Sequence, residues 1–175
     1  MTPSRRHILQ LGASSVLLIF VGGCRRRSEP AAPHHALSYA EFVTLTAVCE
    51  RILPRDDDPG AVDLGVPDYI DAALASDLDR WRDKVKRGLA DLDAAARGRG
   101  ESSFVDARPA VQDDVIADMH MGRADHAEAI QLIVSLTLEG AFGDPVYGGN
   151  IAGAGWILVG FAPCEPHPMG GHHHG

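Results

Sequence analysis

The sequence holds only three cysteines, Cys24, Cys49 and Cys164, and no two of them are close together. It therefore offers no iron–sulfur run, no Cys-x-x-Cys-His haem attachment and no cysteine zinc site. Positive charge is also scarce: 16 Lys and Arg stand against 24 Asp and Glu, giving a net charge of −8, which speaks against nucleic acid as a partner. No segment alternates apolar and polar residues over several positions, so a sheet fold has no support. The glycine-rich stretches Gly148-Gly149-Asn150 and Gly153-Ala154-Gly155 follow no strand and lead to no lysine. A phosphate cradle is disfavoured on that ground, and the glycines read as a turn that brings backbone close to another surface.

What the chain does have begins at its amino terminus. Ser4-Arg5-Arg6-His7-Ile8-Leu9-Gln10 leads into an apolar run ending Val16-Leu17-Leu18-Ile19-Phe20-Val21, and small residues close it at Gly22-Gly23-Cys24. That is the layout of a signal peptide, with Arg5 and Arg6 resembling the twin-arginine export pair. The competing reading is an amino-terminal membrane helix, but the run is shorter than the ~20 residues a bilayer needs. Val21-Gly22-Gly23-Cys24 resembles a lipobox with Cys24 as the lipidated first mature residue. Ordinary cleavage near Gly23 with an incidental thiol is the rival. The expected scheme is a signal peptide over 1–23, a lipidated tether over 24–37, a helical domain over 38–161 and a flexible tail over 162–175. The expected location is the periplasmic side of a bacterial membrane. Arg25, Arg26 and Arg27 would each add roughly 1 kcal/mol of attraction to anionic headgroups. In an oxidising compartment Cys49 and Cys164 form a candidate disulfide, against two buried thiols or a bridge to a partner chain.

The domain opens on Ser38-Tyr39-Ala40-Glu41, a capping box. Phe42, Leu45, Val48, Cys49 and Ile52 then share one helical face, and Pro54 with Asp56-Asp57-Asp58-Pro59-Gly60 ends the helix in a turn. A second helix is expected from Pro67, with Asp68 and Asp71 near its positive end and Tyr69, Ile70, Ala73 and Leu74 facing inward. A third is expected from Leu78 to Arg97 on Trp81, Val85, Leu89, Leu92 and Ala96, stopped by Gly98 and Gly100. Pro109 opens a fourth through Val111, Val115 and Met119, and Asp125 caps a fifth bearing Leu132, Ile133, Leu136 and Ala141. From Gly143 the pattern breaks, apart from an apolar patch over Trp156-Ile157-Leu158-Val159-Gly160-Phe161. The fold class expected is mainly α: about five helices in one small domain with an irregular Gly/Pro-rich carboxy-terminal wrap.

Catalysis needs a nucleophile, a base and an orienting group, and none is assembled. Ser135, His126 and Asp125 fall in a helical stretch without a nucleophile elbow. Asp56, Asp57 and Asp58 are consecutive where a calcium loop alternates its ligands, so they read as a solvated turn. His172, His173 and His174 resemble a metal-binding tract without a second ligand set, and His120, His126 and His167 are scattered. No catalytic, cofactor-binding or metal-ligating residue is assigned. Twin-arginine export serves proteins that fold, often around a cofactor, before crossing the membrane. A chain with that signal and no cofactor site points to a loaded partner travelling with it.

Leu53-Pro54-Arg55-Asp56-Asp57-Asp58-Pro59-Gly60-Ala61, Leu64-Gly65-Val66-Pro67-Asp68-Tyr69-Ile70-Asp71 and Thr137-Leu138-Glu139-Gly140-Ala141-Phe142-Gly143-Asp144-Pro145-Val146-Tyr147-Gly148-Gly149-Asn150, with Gly155-Trp156 beyond, carry a resemblance. Over about Ser38 to Phe161 the chain resembles the gluconate 2-dehydrogenase subunit 3 family. The resemblance implies a non-catalytic small subunit of a membrane-bound flavin-dependent sugar or sugar-acid dehydrogenase. It implies no cofactor in this chain, FAD in a large partner of the glucose-methanol-choline type, and haem c in a multihaem cytochrome third subunit. It further implies that the small subunit supports folding of the large one and supplies the export signal for both. Glu139, Gly140, Asp144, Pro145, Tyr147, Gly148, Gly149, Asn150 and Trp156 then form a candidate partner interface with Tyr147 and Trp156 as its anchors. The competing reading packs both aromatics into the domain's own core. The alternative function is a stand-alone periplasmic lipoprotein that binds a ligand or metal.

Overall fold

Wherever apolar residues recur at spacings of three and four, the chain is helical. The computed structural model describes residues 36–162. They form α1 (Tyr39–Ile52), α2 (Val66–Ala75), α3 (Arg82–Gly98), α4 (Pro109–Met121), α5 (Ala124–Phe142) and a short α6 (Ala154–Leu158), with no strand among the described residues. The mainly helical class with a carboxy-terminal wrap is as the sequence predicts. The signal segment with Arg5 and Arg6, the lipidation site Cys24, the tether up to residue 35, Cys164 and the histidine-rich tail lie outside the described residues. No described helix is long and apolar enough to cross a membrane.

The capping box of α1 forms: Ser38 N donates to Glu41 Oε2 at 2.7 Å and Glu41 N to Ser38 Oγ at 3.4 Å. The fold takes hold of the chain two residues earlier. Ala36 N and Leu37 N both donate to Asp71 Oδ1, at 3.0 and 2.8 Å, and Leu37 is buried. Asp71 is buried too, so a charged side chain in the interior is satisfied by backbone amides of the incoming strand of chain.

Helix α5 is the axis of the domain and packs against α1, α2, α3 and α4, with α6 at its carboxy-terminal end. The core that closes around it includes Leu45, Val48, Ile70, Leu92, Val115 and Ile133, all fully or almost fully buried. Burying each such side chain contributes roughly 1.5–3 kcal/mol.

Three boundaries differ from the sequence reading. The third helix starts at Arg82, not Leu78, because Asp79–Trp81 forms a 3-10 turn and the Arg82 guanidinium binds Leu74 O through Nε (3.0 Å) and Nη2 (2.9 Å) at the end of α2. Asp125 does not cap α5. Arg123, extended at φ −62° and ψ 144°, holds the cap position without a side-chain bond, and Asp125 sits in the first turn, where its charge suits the helix's positive end. The wrap, expected to be irregular, contains α6.

Candidate partner interface

A helix ends with carbonyls that have no partner inside it. In α5 those of the last turn are taken up by the glycine-rich wrap. Asn150 N donates to Gly140 O at 2.7 Å, Asn150 Nδ2 to Gly143 O at 2.8 Å, and Trp156 Nε1 to Phe142 O at 2.8 Å. Asn150 Oδ1 accepts from Gly155 N at 2.7 Å, which ties α6 to the same corner. Asn150 itself is fully buried and left-handed, at φ 46° and ψ 49°, a conformation Asn adopts more readily than most residues. Gly149 and Gly155 are there for lack of room. A Cβ on Gly149 would overlap Gly140 O, and one on Gly155 would overlap Ala141 O.

Asp144 accepts from Val146 N at 3.0 Å and opens a 3-10 turn, Pro145–Tyr147. Of the expected interface residues, Gly140, Gly149 and Asn150 are buried and Trp156 and Pro145 half-buried, whereas Glu139, Asp144, Tyr147 and Gly148 are exposed. The two expected anchors therefore face different ways. Trp156 uses its indole N–H inside the domain and stacks edge-on against Phe161, with ring centroids 5.4 Å apart. Tyr147 stands 72 % exposed, beside Val146 at 77 %.

Exposed apolar residues of this region outside the expected set include Val146, Ile151 and Ile157. Their signal in the sequence was available, since each is a large apolar residue in a stretch with no helical period to bury it. Tyr69 was read only as a core residue. Its ring is buried on α2 against Gly140; burial first, then the nearby Glu139 carboxylate, push the phenol well above its ordinary range.

Cys49 is fully buried, with its Sγ 3.5 Å from Thr137 Oγ1, and burial pushes its thiol up to about 12. Asp125 and His126 lie in the first turn of α5 and Ser135 nine residues on, about 14 Å along the helix axis. His126 Nε2 faces Asp91 at 3.4 Å, in a cleft of about 430 Å³ between α3 and α5 that Lys84 and Glu128 bridge at 2.6 Å. Asp56 accepts from Asp58 N at 2.9 Å in an exposed turn.

Residues 39–163, most of the chain, match the family described as gluconate 2-dehydrogenase subunit 3. The chain belongs to that family. No curated protein and no solved structure matches the chain. The match takes in the whole helical body and the wrap, so the corner built by Asn150 is part of a subunit 3 domain. The family description marks its members as a subunit of an oxidoreductase complex.

Proposed function

We propose that this subunit 3 protein is a non-catalytic accessory subunit that docks on a flavin-dependent dehydrogenase of the glucose-methanol-choline type, supports its folding and escorts it through twin-arginine export. The complex oxidises a sugar or sugar acid; FAD resides in the large subunit, and a multihaem cytochrome receives the electrons. Arg5 and Arg6 supply the export signal for both chains, and the lipid on Cys24 holds the complex at the periplasmic face of the membrane.

The observation that carries this reading is the construction of the wrap. A buried asparagine and two glycines without room for a Cβ fix its backbone, yet that backbone holds Val146, Tyr147, Ile151 and Ile157 in solvent. Large apolar side chains kept outside on a rigid frame mark a surface that another protein covers. Family membership supports a dehydrogenase complex as the setting.

Co-expression of the tagged chain with the neighbouring oxidoreductase genes tests the docking. The eluate is expected to carry flavin absorbance; a colourless lone protein overturns the reading. Arg5→Lys with Arg6→Lys is expected to keep both chains in the cytoplasm, and a partner that still reaches the periplasm rules out the escort role. Cys24→Ser is expected to release the complex from membranes with its dehydrogenase activity intact.

A further inference from the structure

The construction that marks the wrap recurs in the turn between α1 and α2. Residues 60–66 wind like a helix: Leu64 N donates to Gly60 O at 3.1 Å, Gly65 N to Val62 O at 3.1 Å and Val66 N to Ala61 O at 3.0 Å. Ala61, Leu64 and Val66 have no exposed surface, and Asp63 ties the turn down by accepting from Gly60 N at 3.0 Å and from Arg55 Nη1 at 2.7 Å. Yet this fixed turn leaves Val62 47 % exposed.

Turn and wrap meet at Ile151. Its backbone N donates to Leu64 O at 3.3 Å, and its side chain lies on Gly65, where a Cβ would come within 2.7 Å of Ile151 Cδ1. Gly65 follows Val62 by three residues, a spacing that makes the two neighbours on a helical turn. Val62 and the half-exposed Ile151 therefore lie on either side of Gly65, and the apolar face of the wrap runs on over it to the turn. Since the two segments meet only through tertiary contacts, this joint surface exists only in the folded chain.

A bilayer, a second copy and another subunit compete to cover it. Asp56, Asp57, Asp58 and Asp68, all exposed, flank the turn in the chain. Such a rim disfavours an anionic bilayer, and two copies meeting here about a two-fold axis would set the acids of one against those of the other. The family, described as subunit 3 of a dehydrogenase, has other subunits for the surface to meet.

We propose that the large flavin subunit covers the α1–α2 turn together with the wrap, through an apolar contact centred on Val62, Gly65 and Ile151. This rests on the docking reading above and extends its contact to a second segment of the chain.

The test uses the full chain co-expressed with the large subunit and carrying the photoreactive replacement Val62→p-benzoylphenylalanine. Light is expected to give an adduct with the combined mass of this chain and the large subunit. The same replacement at Met121 is expected to give none: that residue is 82 % exposed but precedes α5, whose far end, about 27 Å along the axis, carries the wrap. Val62→Asp, which would bury an unpaired carboxylate in the contact, is expected to weaken retention of the large subunit by about 10-fold or more without changing the Tm of the chain alone. If the large subunit does not co-purify with the wild-type chain, the docking reading fails and this one with it. If it co-purifies but residue 62 gives no adduct with it, the extension to the turn is wrong, and an adduct from the same probe at Ile157 then shows that docking by the wrap stands. An adduct of twice this chain's mass places a second copy on the turn, and an adduct with lipid places the bilayer there; either overturns the proposal, as do equal adducts from residues 62 and 121.

Discussion

The helical body and the glycine-rich wrap obey opposite rules. In α1 to α5 the apolar side chains that form the core are inside: Leu45, Ile70, Leu92 and Ile133 have no exposed surface, and Met121 at the end of α4 and Leu138 on α5 are the large exposed exceptions among those helices. In the wrap the buried side chain with polar atoms is Asn150, flanked by buried Gly149 and Gly155, and Tyr147, Val146 and Ile157 stand 72, 77 and 78 % exposed. A body that buries its own apolar surface is complete alone; a wrap that spends hydrogen bonds to keep apolar groups outside is complete only with something on top of it. The same truncation should therefore have opposite effects in the two regions. Leu92→Ala is expected to cost about 2–5 kcal/mol in urea unfolding of the mature domain. Ile157→Ala should change stability by less than about 0.5 kcal/mol yet weaken retention of the large subunit. Equal losses of stability from both would erase the distinction between the regions.

Asn150→Ala attacks the wrap at its buried polar side chain. It leaves Gly143 O and Gly155 N without the partners they have at 2.8 and 2.7 Å and puts alanine in a left-handed conformation. The expected cost is about 2–4 kcal/mol. Because the loss is local, limited proteolysis should cut the chain after Gly143 while α1 to α4 stay protected. Uniform cleavage would show that the wrap is part of the body's cooperative unit.

The body was legible in the sequence and the wrap mostly was not, for one physical reason. Helical periodicity and a capping box are local, and Ser38 with Glu41 or the Leu89–Leu92–Ala96 stripe can be read from neighbours. The corner at Asn150 depends on contacts with Gly140, Gly143 and Gly155, and the Tyr69–Glu139 pair joins residues seventy positions apart. The motif could be recognised from its residues; that Trp156 turns inward and Tyr147 outward could not. Asp125 failed as a cap because Arg123 already supplied the extended residue that starts α5.

Cys49 probes how well the body is sealed. Its thiol is pushed up from 9.0 to about 12 by burial, so above pH 9 the unfolded chain ionises first and stability falls as pH rises toward 12. Relative to Cys49→Ala, the reduced wild-type chain is expected to lose about 1 kcal/mol per pH unit between pH 9 and 10, and native Cys49 should resist alkylation. If the extra pH slope appears only with reductant present, Cys49 is bridged in the oxidised chain, with Cys164 as the candidate partner.

A small gain is also expected, and it falls in the wrap. Ala152 is exposed and left-handed, at φ 57° and ψ 19°, where its Cβ crowds the following carbonyl and no side-chain bond compensates, unlike Asn150 two residues earlier. Ala152→Gly relieves that crowding but gives the unfolded chain more freedom, so the net gain should be about 0.5–1 kcal/mol, or about 2–4 °C in Tm. Ala152→Val should move the other way, since a branched side chain tolerates this backbone still less. Retention of the large subunit should be unchanged by the glycine, because the side chains offered to the partner stay where they are. Loss of stability on Ala152→Gly would mean that Ala152 is not left-handed in solution, and the view of the wrap as a rigid frame held by Asn150 would fail with it.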